Sequence, residues 1–234
     1  MEKELAVLGY EDTALSHRVM LNLDFARANM KANIYNQAVL EGMATTYPQT
    51  ETIIENGIVS GMTTTAVQKI LNLKHTWKFI LDKNVLSHAT DYNILCHIAK
   101  LVNEGFYTDG VRIRGVPVAI DGTSYIPPLP IETVVKENIE AILRDNVDEV
   151  DTAIRLCLYC MKTQIFNDGQ QAGICDIGEP PHRLQETGLI VIPESHVPEF
   201  KQLLVAYYED QDNGEIVEFM RSKCWRTFKL LGTF

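Results

Sequence analysis

Apolar side chains recurring every three to four residues along most of this 234-residue chain restrict it to a helical fold more firmly than any other feature of the sequence. Val67, Ile70, Leu71, Trp77, Ile80 and Leu81 fall at that spacing behind three candidate N-caps, Thr63, Thr64 and Thr65, which predicts a helix of about 18 residues. Leu95, Cys96, Ala99 and Val102 repeat the pattern and stop at Gly105, where a positive φ is available to end a helix. Val134, Val135, Ile139, Ile142 and Leu143 form a third stripe. Val150, Ile154, Cys157, Leu158, Met161 and Ile165 form a fourth, which runs into Asp168-Gly169. Val197, Phe200, Leu203, Leu204 and Tyr207 mark a further helix, and Ile216, Phe219, Met220 and Trp225 a last one. An early helix of mixed pattern is expected from Leu15 to Leu40. The expected fold class is mainly α.

Composition narrows the class of protein. With 46% hydrophobic and 22% charged residues the usage is ordinary for a globular domain. No apolar run approaches the roughly 18 residues that span a bilayer, and Glu2, Lys3 and Glu4 replace the apolar stretch of a signal peptide. A cytoplasmic protein without membrane attachment is expected. The five cysteines, Cys96, Cys157, Cys160, Cys175 and Cys224, are odd in number and irregularly spaced, which suits free thiols. A net charge of −10 argues against nucleic acid, whose phosphates require a Lys/Arg surface.

One segment has a different texture. Val111 to Ile120 alternates and is β-branched around Gly115-Val116-Pro117, so a short β-hairpin is expected there. Asp121, Gly122, Thr123, Ser124 and Tyr125 follow, and Pro127, Pro128 and Pro130 then hold an extended arm. Other conspicuous residues have plain structural readings. Cys157 and Cys160 have zinc-like spacing but lie within an apolar helical stripe with no second Cys/His pair at ligand distance, and are read as packed core. His17, His75, His88, His97, His182 and His196 show no metal-type spacing, and the acidic run Glu209 to Glu215 reads as a solvated loop between helices. Trp77 is expected in the core.

The candidate chemistry lies at the end of the fourth stripe. A glycine turn leading into a helix N-terminus offers unpaired N–H groups and a favourable dipole to polyphosphate, and Asp168 beside Gly169 can hold Mg²⁺ between its carboxylate and phosphate oxygens.

Here the chain resembles the Fic (Fido) family of AMP-transferring proteins, which carry His-x-Phe-x-Asp/Glu-Gly-Asn-Gly/Lys-Arg at a helix–loop–helix preceded by a flap hairpin. Phe166, Asp168 and Gly169 match that motif in register, and Val116 to Val118, Gly122 to Tyr125 and Pro127 to Pro130 look like the flap and its exit. Glu55-Asn56-Gly57 resembles the inhibitory helix that some Fic proteins place before the core. The resemblance covers roughly residues 50 to 210. It implies a Fic-type helical bundle with a short β-hairpin flap over 51–234, an inhibitory-helix-like segment near 51–57, and an N-terminal helical extension over 1–50. It also implies ATP and Mg²⁺ as cofactors, a target protein or peptide laid along the flap at Gly122, Thr123, Ser124 and Tyr125, and scope for a homo-oligomer. Phe166, Gly169, Gln170 and Gln171 would contact nucleotide, with Asp168 as the metal holder and Glu55 as the inhibitory carboxylate.

Several motif positions depart from the pattern, each with a chemical consequence. Gln164 occupies the histidine position, and a neutral amide accepts no proton at pH 7. Gln170 stands for asparagine, Gln171 for Gly/Lys, and Ala172 for an arginine whose five-donor fork balances phosphate charge. Glu51 replaces the Ser/Thr of the inhibitory motif, and Glu55 lacks the motif arginine as its partner. The expected protein is therefore a Fic-type nucleotide-binding scaffold with impaired AMP transfer, or else a non-catalytic peptide- or protein-binding module on the same scaffold.

Gly173, Gly178, Pro180, Pro181 and Gly188 would interrupt the helix that should follow the motif. Codons permitted for Gln170 to His182, read one base out of frame, yield Asn-Lys-Arg-Ala-Ser-Ala-Ile-Leu-Ala-Asn-His, a motif-like start followed by helix formers. The hypothesis is a one-base insertion near Gly169 compensated near Thr187, in the gene or in its reading. Sequencing the DNA across codons 169 to 188 should find both changes; a faithful in-frame read of these residues would refute the hypothesis.

Overall fold

A computed structural model describes residues 21–86, 91–106, 113–145, 148–166 and 188–227. The described chain is mainly helical, as the spacing predicts. Residues 21–28 are helical (α1) and are followed by α2 (Met30–Leu40), α3 (Tyr47–Asn56), α4 (Thr64–Ile80), the single turn α5 (Lys83–Leu86) and α6 (Tyr92–Val102). After the arm come α7 (Glu132–Arg144) and α8 (Glu149–Thr163). The C-terminal part holds β1 (Leu189–Ile190), a 3₁₀ turn (Glu194–His196), α9 (Val197–Tyr208), α10 (Glu215–Phe219), a π-helical turn (Met220–Cys224) and β2 (Trp225–Arg226).

The boundaries follow from side-chain chemistry. Of the three threonines ahead of α4, Thr63 is the cap, its Oγ1 accepting from Ala66 N at 3.1 Å. Thr46 and Gln49 form a reciprocal capping box at the start of α3, and Asp91 caps α6 through Ile94 N. The early helix is not continuous through its described part. A turn at Asn29 separates α1 from α2, and there the side-chain amide donates to Phe25 O at 2.8 Å beside the backbone N–H, which donates to the same oxygen at 3.0 Å. Trp225 does not extend the last helix, because the backbone opens into the π-helical turn and Trp225 pairs with Ile190 in a short antiparallel sheet. Gly188 precedes β1 at φ 142°, and a Cβ there would lie 2.3 Å from Arg226 O, so only glycine lets the two segments approach.

One continuous core joins these elements. α4 packs on α6, α2 on α3 and α4, and α7 on α8. Ile34, Ile53, Ile70, Ile98, Ile154 and Phe200 are each fully buried in it. Val135 and Ile139 face this core from α7, whereas Val134 on the same expected stripe remains exposed. Cys157 and Cys160 are buried on α8, and Trp77 is buried with its Nε1 donating to Gln37 Oε1 at 3.1 Å. Arg221, in the π-helical turn, bridges Asp148 and Asp151 at the start of α8, tying the C-terminal turn to the helix that carries the candidate site. Among the described residues no helix is long and apolar enough to cross a membrane.

The Trp77–Gln37 bond joins α4 to α2 inside the core. Trp77→Phe leaves Gln37 Oε1 buried without its donor and opens space beside it, and should cost about 2–3 kcal/mol in urea unfolding. A loss below ~0.5 kcal/mol would show that the bond contributes nothing net.

Candidate functional site

α8 ends at Gln164, whose backbone turns left-handed at φ 49° and ψ 61°. A non-glycine residue in that region carries strain of order 1 kcal/mol, so the surroundings must hold it there. Its own side chain does part of this: Nε2 donates to Met161 O at 2.8 Å, satisfying one of the carbonyls left open at the helix end. The backbone of Gln164 also receives a bond from Arg114.

Arg114 is 1% exposed. The hydrogen bonds of its guanidinium go to five backbone carbonyls. Nε donates to Gln164 O at 2.8 Å, Nη1 to Val116 O at 2.8 Å, and Nη2 to Pro128 O at 2.7 Å, with Pro127 O and Thr163 O both at 3.3 Å. Its backbone N donates to Ile165 O at 2.8 Å, and Ile113 forms an antiparallel bridge with Phe166. Burial lowers the guanidinium's pKa from its ordinary value. Five acceptors in the geometry of its fork explain why it can be buried without a carboxylate among the described residues. The hairpin expected over 111–120 begins outside the described residues; its described part makes one bridge, to Phe166, and the chain then runs without regular structure to Ile131.

The far part of the arm is held separately. Gly122 turns at φ +83°, and a Cβ there would sit 3.9 Å from Val205 Cγ2 of α9. The Glu209 carboxylate, just beyond α9, accepts from Thr123 Oγ1 at 2.8 Å, Ser124 N at 3.0 Å and Ser124 Oγ at 3.3 Å. The Ser124 backbone bond, with the Thr123 hydroxyl behind it, holds the Glu209 carboxyl below its ordinary value of 4.5. Tyr125 stacks on Tyr208 at 5.9 Å between ring centroids, and the Lys162 ammonium lies 5.4 Å from the Tyr125 ring and 4.9 Å from that of Tyr207. Lys162 also donates to Tyr207 O at 3.1 Å and pairs with Asp210. The acidic run does join two helices, but its first residue is a fastener rather than a purely solvated group.

Between arm and helix lies a cleft of about 350 Å³. Ile120 and Asp121 line one side, Phe200, Lys201, Leu204, Val205 and Tyr208 the other, and Met161, Gln164, Leu40 and Glu41 complete its described lining. The volume falls within the ~300–1,000 Å³ usual for small-molecule sites.

The structure therefore gathers Gln164, Phe166 and the 122–125 segment around α8, α9 and the arm. Phe166 is buried, 3% exposed, and anchors the helix exit. Glu55 lies at the end of α3, where its carboxylate pairs with Lys31 of α2, which also meets Glu51 at 3.0 Å; both bonds raise the Lys31 pKa. Asp168, Gly169, Gln170, Gln171 and Ala172 lie outside the described residues, as do His17, His88 and His182. Among the described residues no group of three His, Cys, Asp or Glu side chains is placed to hold a metal ion. Sequence reasoning gave Arg114 and Glu209 no role. An arginine inside an apolar alternating segment that runs into a proline arm is a usable signal for the first, and the acidic run carries none for the second.

No family model and no curated protein sequence matches the chain. Solved structures do. A Fic-domain-containing signalling protein from Bacteroides thetaiotaomicron superposes with a TM-score of 0.65 at 16% identity, over 85% of this chain and 82% of its own. Residues 134–508 of Fic-1 from C. elegans give 0.65 at 16%, over 94% and 70%. A Fic family protein from Desulfovibrio desulfuricans gives 0.63 at 14%, over 84% and 62%. The chain has the fold of Fic domain proteins, and identities this low carry the fold alone.

Arg114 is the residue on which the geometry around Gln164 depends most. Arg114→Met leaves several buried carbonyls without donors and should lower stability by about 3 kcal/mol in urea unfolding, while Arg114→Lys, with three donors and no fork, should recover part of that. Equal stability of wild type and Arg114→Met would contradict the assignment.

Proposed function

We propose that this chain is a Fic-type nucleotide-binding protein in which AMP transfer to a protein hydroxyl is impaired. The observation that supports it is the position of Gln164: on a Fic fold, at the left-handed exit of α8, lining a cleft of small-ligand size between the arm and α9. The described lining suits a nucleoside, with apolar walls from Ile120, Phe200, Leu204 and Val205 and polar groups from Gln164 and Asp121. It suits a triphosphate less well. Lys201 is the one cation in the described lining, and Arg114 is committed to carbonyls. Phosphate contacts then fall to Gly169, Gln170 and Gln171, and Mg²⁺ to the carboxylate of Asp168. Bound Mg²⁺ would neutralise phosphate charge as the α-phosphate is attacked.

The chemical deficit lies in proton transfer. In the family pattern a histidine takes the proton of the attacking hydroxyl. Gln164 offers an amide with no basic lone pair, and that amide already donates to Met161 O. Loss of a general base typically costs 10²–10⁴-fold in rate.

A second reading has its own support. Val116, Ile126, Leu129 and Ile131 are exposed along or just beyond the arm, between 51% and 66%, and an apolar arm of this kind suits capture of a peptide or partner protein without chemistry.

Calorimetric titration with ATP, with and without Mg²⁺, together with a radiolabelled AMP-transfer assay on the chain and on lysate proteins, separates the two. The proposal expects Mg²⁺-dependent ATP binding, lost in Asp168→Ala, with transfer at or near background. Peptide capture without any ATP binding supports the second reading. Robust labelling that survives Asp168→Ala refutes the assigned site.

A further inference from the structure

The segment from Val116 to Pro128 is closed at its base by a single side chain. Arg114 Nη1 bonds Val116 O at 2.8 Å and Nη2 bonds Pro128 O at 2.7 Å, so the two ends of the segment meet on one buried guanidinium. A loop of this length with its ends held together is an Ω-loop, a compact surface form that is frequently functional. Its tip is fastened by different and weaker means. Three hydrogen bonds converge on one exposed-side carboxylate oxygen, Glu209 Oε1, from Thr123 and Ser124, and one ring stack follows at Tyr125–Tyr208. Between neck and tip, Ile120 and Asp121 form the arm side of the Gln164 cleft, and Gly122 lies against Val205 on its opposite wall.

We infer that residues 116–128 are a lid over the Gln164 cleft, hinged on Arg114 and caught at the tip by Glu209. The asymmetry of the two fastenings supports the inference. Opening the neck would take the carbonyls of Val116, Pro127 and Pro128 from a buried guanidinium, each at a cost comparable with a lost hydrogen bond, whereas opening the tip returns one carboxylate and two hydroxyls to water that can solvate them and lifts the partly buried Ile120 and Tyr125 from the core. Motion is therefore confined to the tip side. When the tip lifts, Ile120 and Asp121 leave the cleft and Val205, already partly exposed, opens further to solvent. Glu209 is a positioning residue in this device and contacts no ligand. The inference is independent of nucleotide binding, because the same catch would gate any occupant of the cleft.

The test uses the full chain without ligand. Val205→Cys places a thiol on the partly covered wall, and its alkylation by N-ethylmaleimide is followed by peptide mass, with partly exposed Cys96 on α6 as internal reference. Glu209→Ala should speed alkylation at position 205 by roughly tenfold, the value of about one net hydrogen bond, with Cys96 unchanged. Thr123→Val, which removes one catch bond from the lid side, should speed it by a smaller factor. The inference is overturned if neither variant changes the rate at 205. It is equally overturned if buried Cys157 and Cys160 accelerate in parallel in both variants, since the chain would then be loosening as a whole.

Discussion

The contact on which the rest of the site depends is the buried Arg114 guanidinium among five backbone carbonyls. Burying a cation is expensive unless each donor finds an acceptor. Here the acceptors come from two places at once: Thr163 and Gln164 at the end of α8, and Val116, Pro127 and Pro128 on the arm. Among the described residues the irregular arm has no ladder partner beyond the Ile113–Phe166 bridge, and its prolines cannot donate to one. The arginine supplies the cohesion that a sheet would otherwise provide. It fixes the helix exit and the neck of the arm relative to each other.

That arrangement separates scaffold from chemistry. The left-handed turn at Gln164, the buried Phe166 and the placement of the arm are all present on this fold, and none of them requires a histidine. The Gln164 side chain is used instead to close the helix, through Met161 O. An amide is not basic, and this one has a structural use at the helix end that stands without catalysis. Glu55 shows the same economy: whatever role its family resemblance implies, in this chain its carboxylate meets Lys31 and ties α3 to α2.

The helices were legible because burial imposes a period on them. α4, with its Thr63 cap and buried Trp77, and α8, with Ile154, Cys157, Leu158 and Met161 on its inner face, follow directly from apolar spacing. Where the sequence misleads, a tertiary contact overrides a local pattern. The alternation over 111–120 reads as a hairpin whose start lies outside the described residues, and nothing local in it foretells that Arg114 ties its described part to the end of α8, 50 residues away in sequence. Trp225 continues a helical spacing, yet Ile190 draws it into a two-residue strand. Glu209 looks like one acid in a solvated run, and only its contact with Ser124, 85 residues distant, reveals the catch. Such pairings carry no local signal, since each residue is unremarkable within its own segment. The end of α8 at Gln164 was legible from the apolar stripe that stops there, whereas Arg114 and Glu209 were not singled out by any local pattern.

The most direct test of this account is a ¹⁵N-labelled amide map recorded as ATP and Mg²⁺ are added to the full chain. The account predicts that shift changes concentrate on Gln164, Ile120, Asp121 and the α9 residues Lys201 to Tyr208, which enclose the cleft. Shifts centred elsewhere, for example on the separate surface cleft lined by Arg27, Lys78 and Asn84, or no shifts at millimolar ATP, would contradict it.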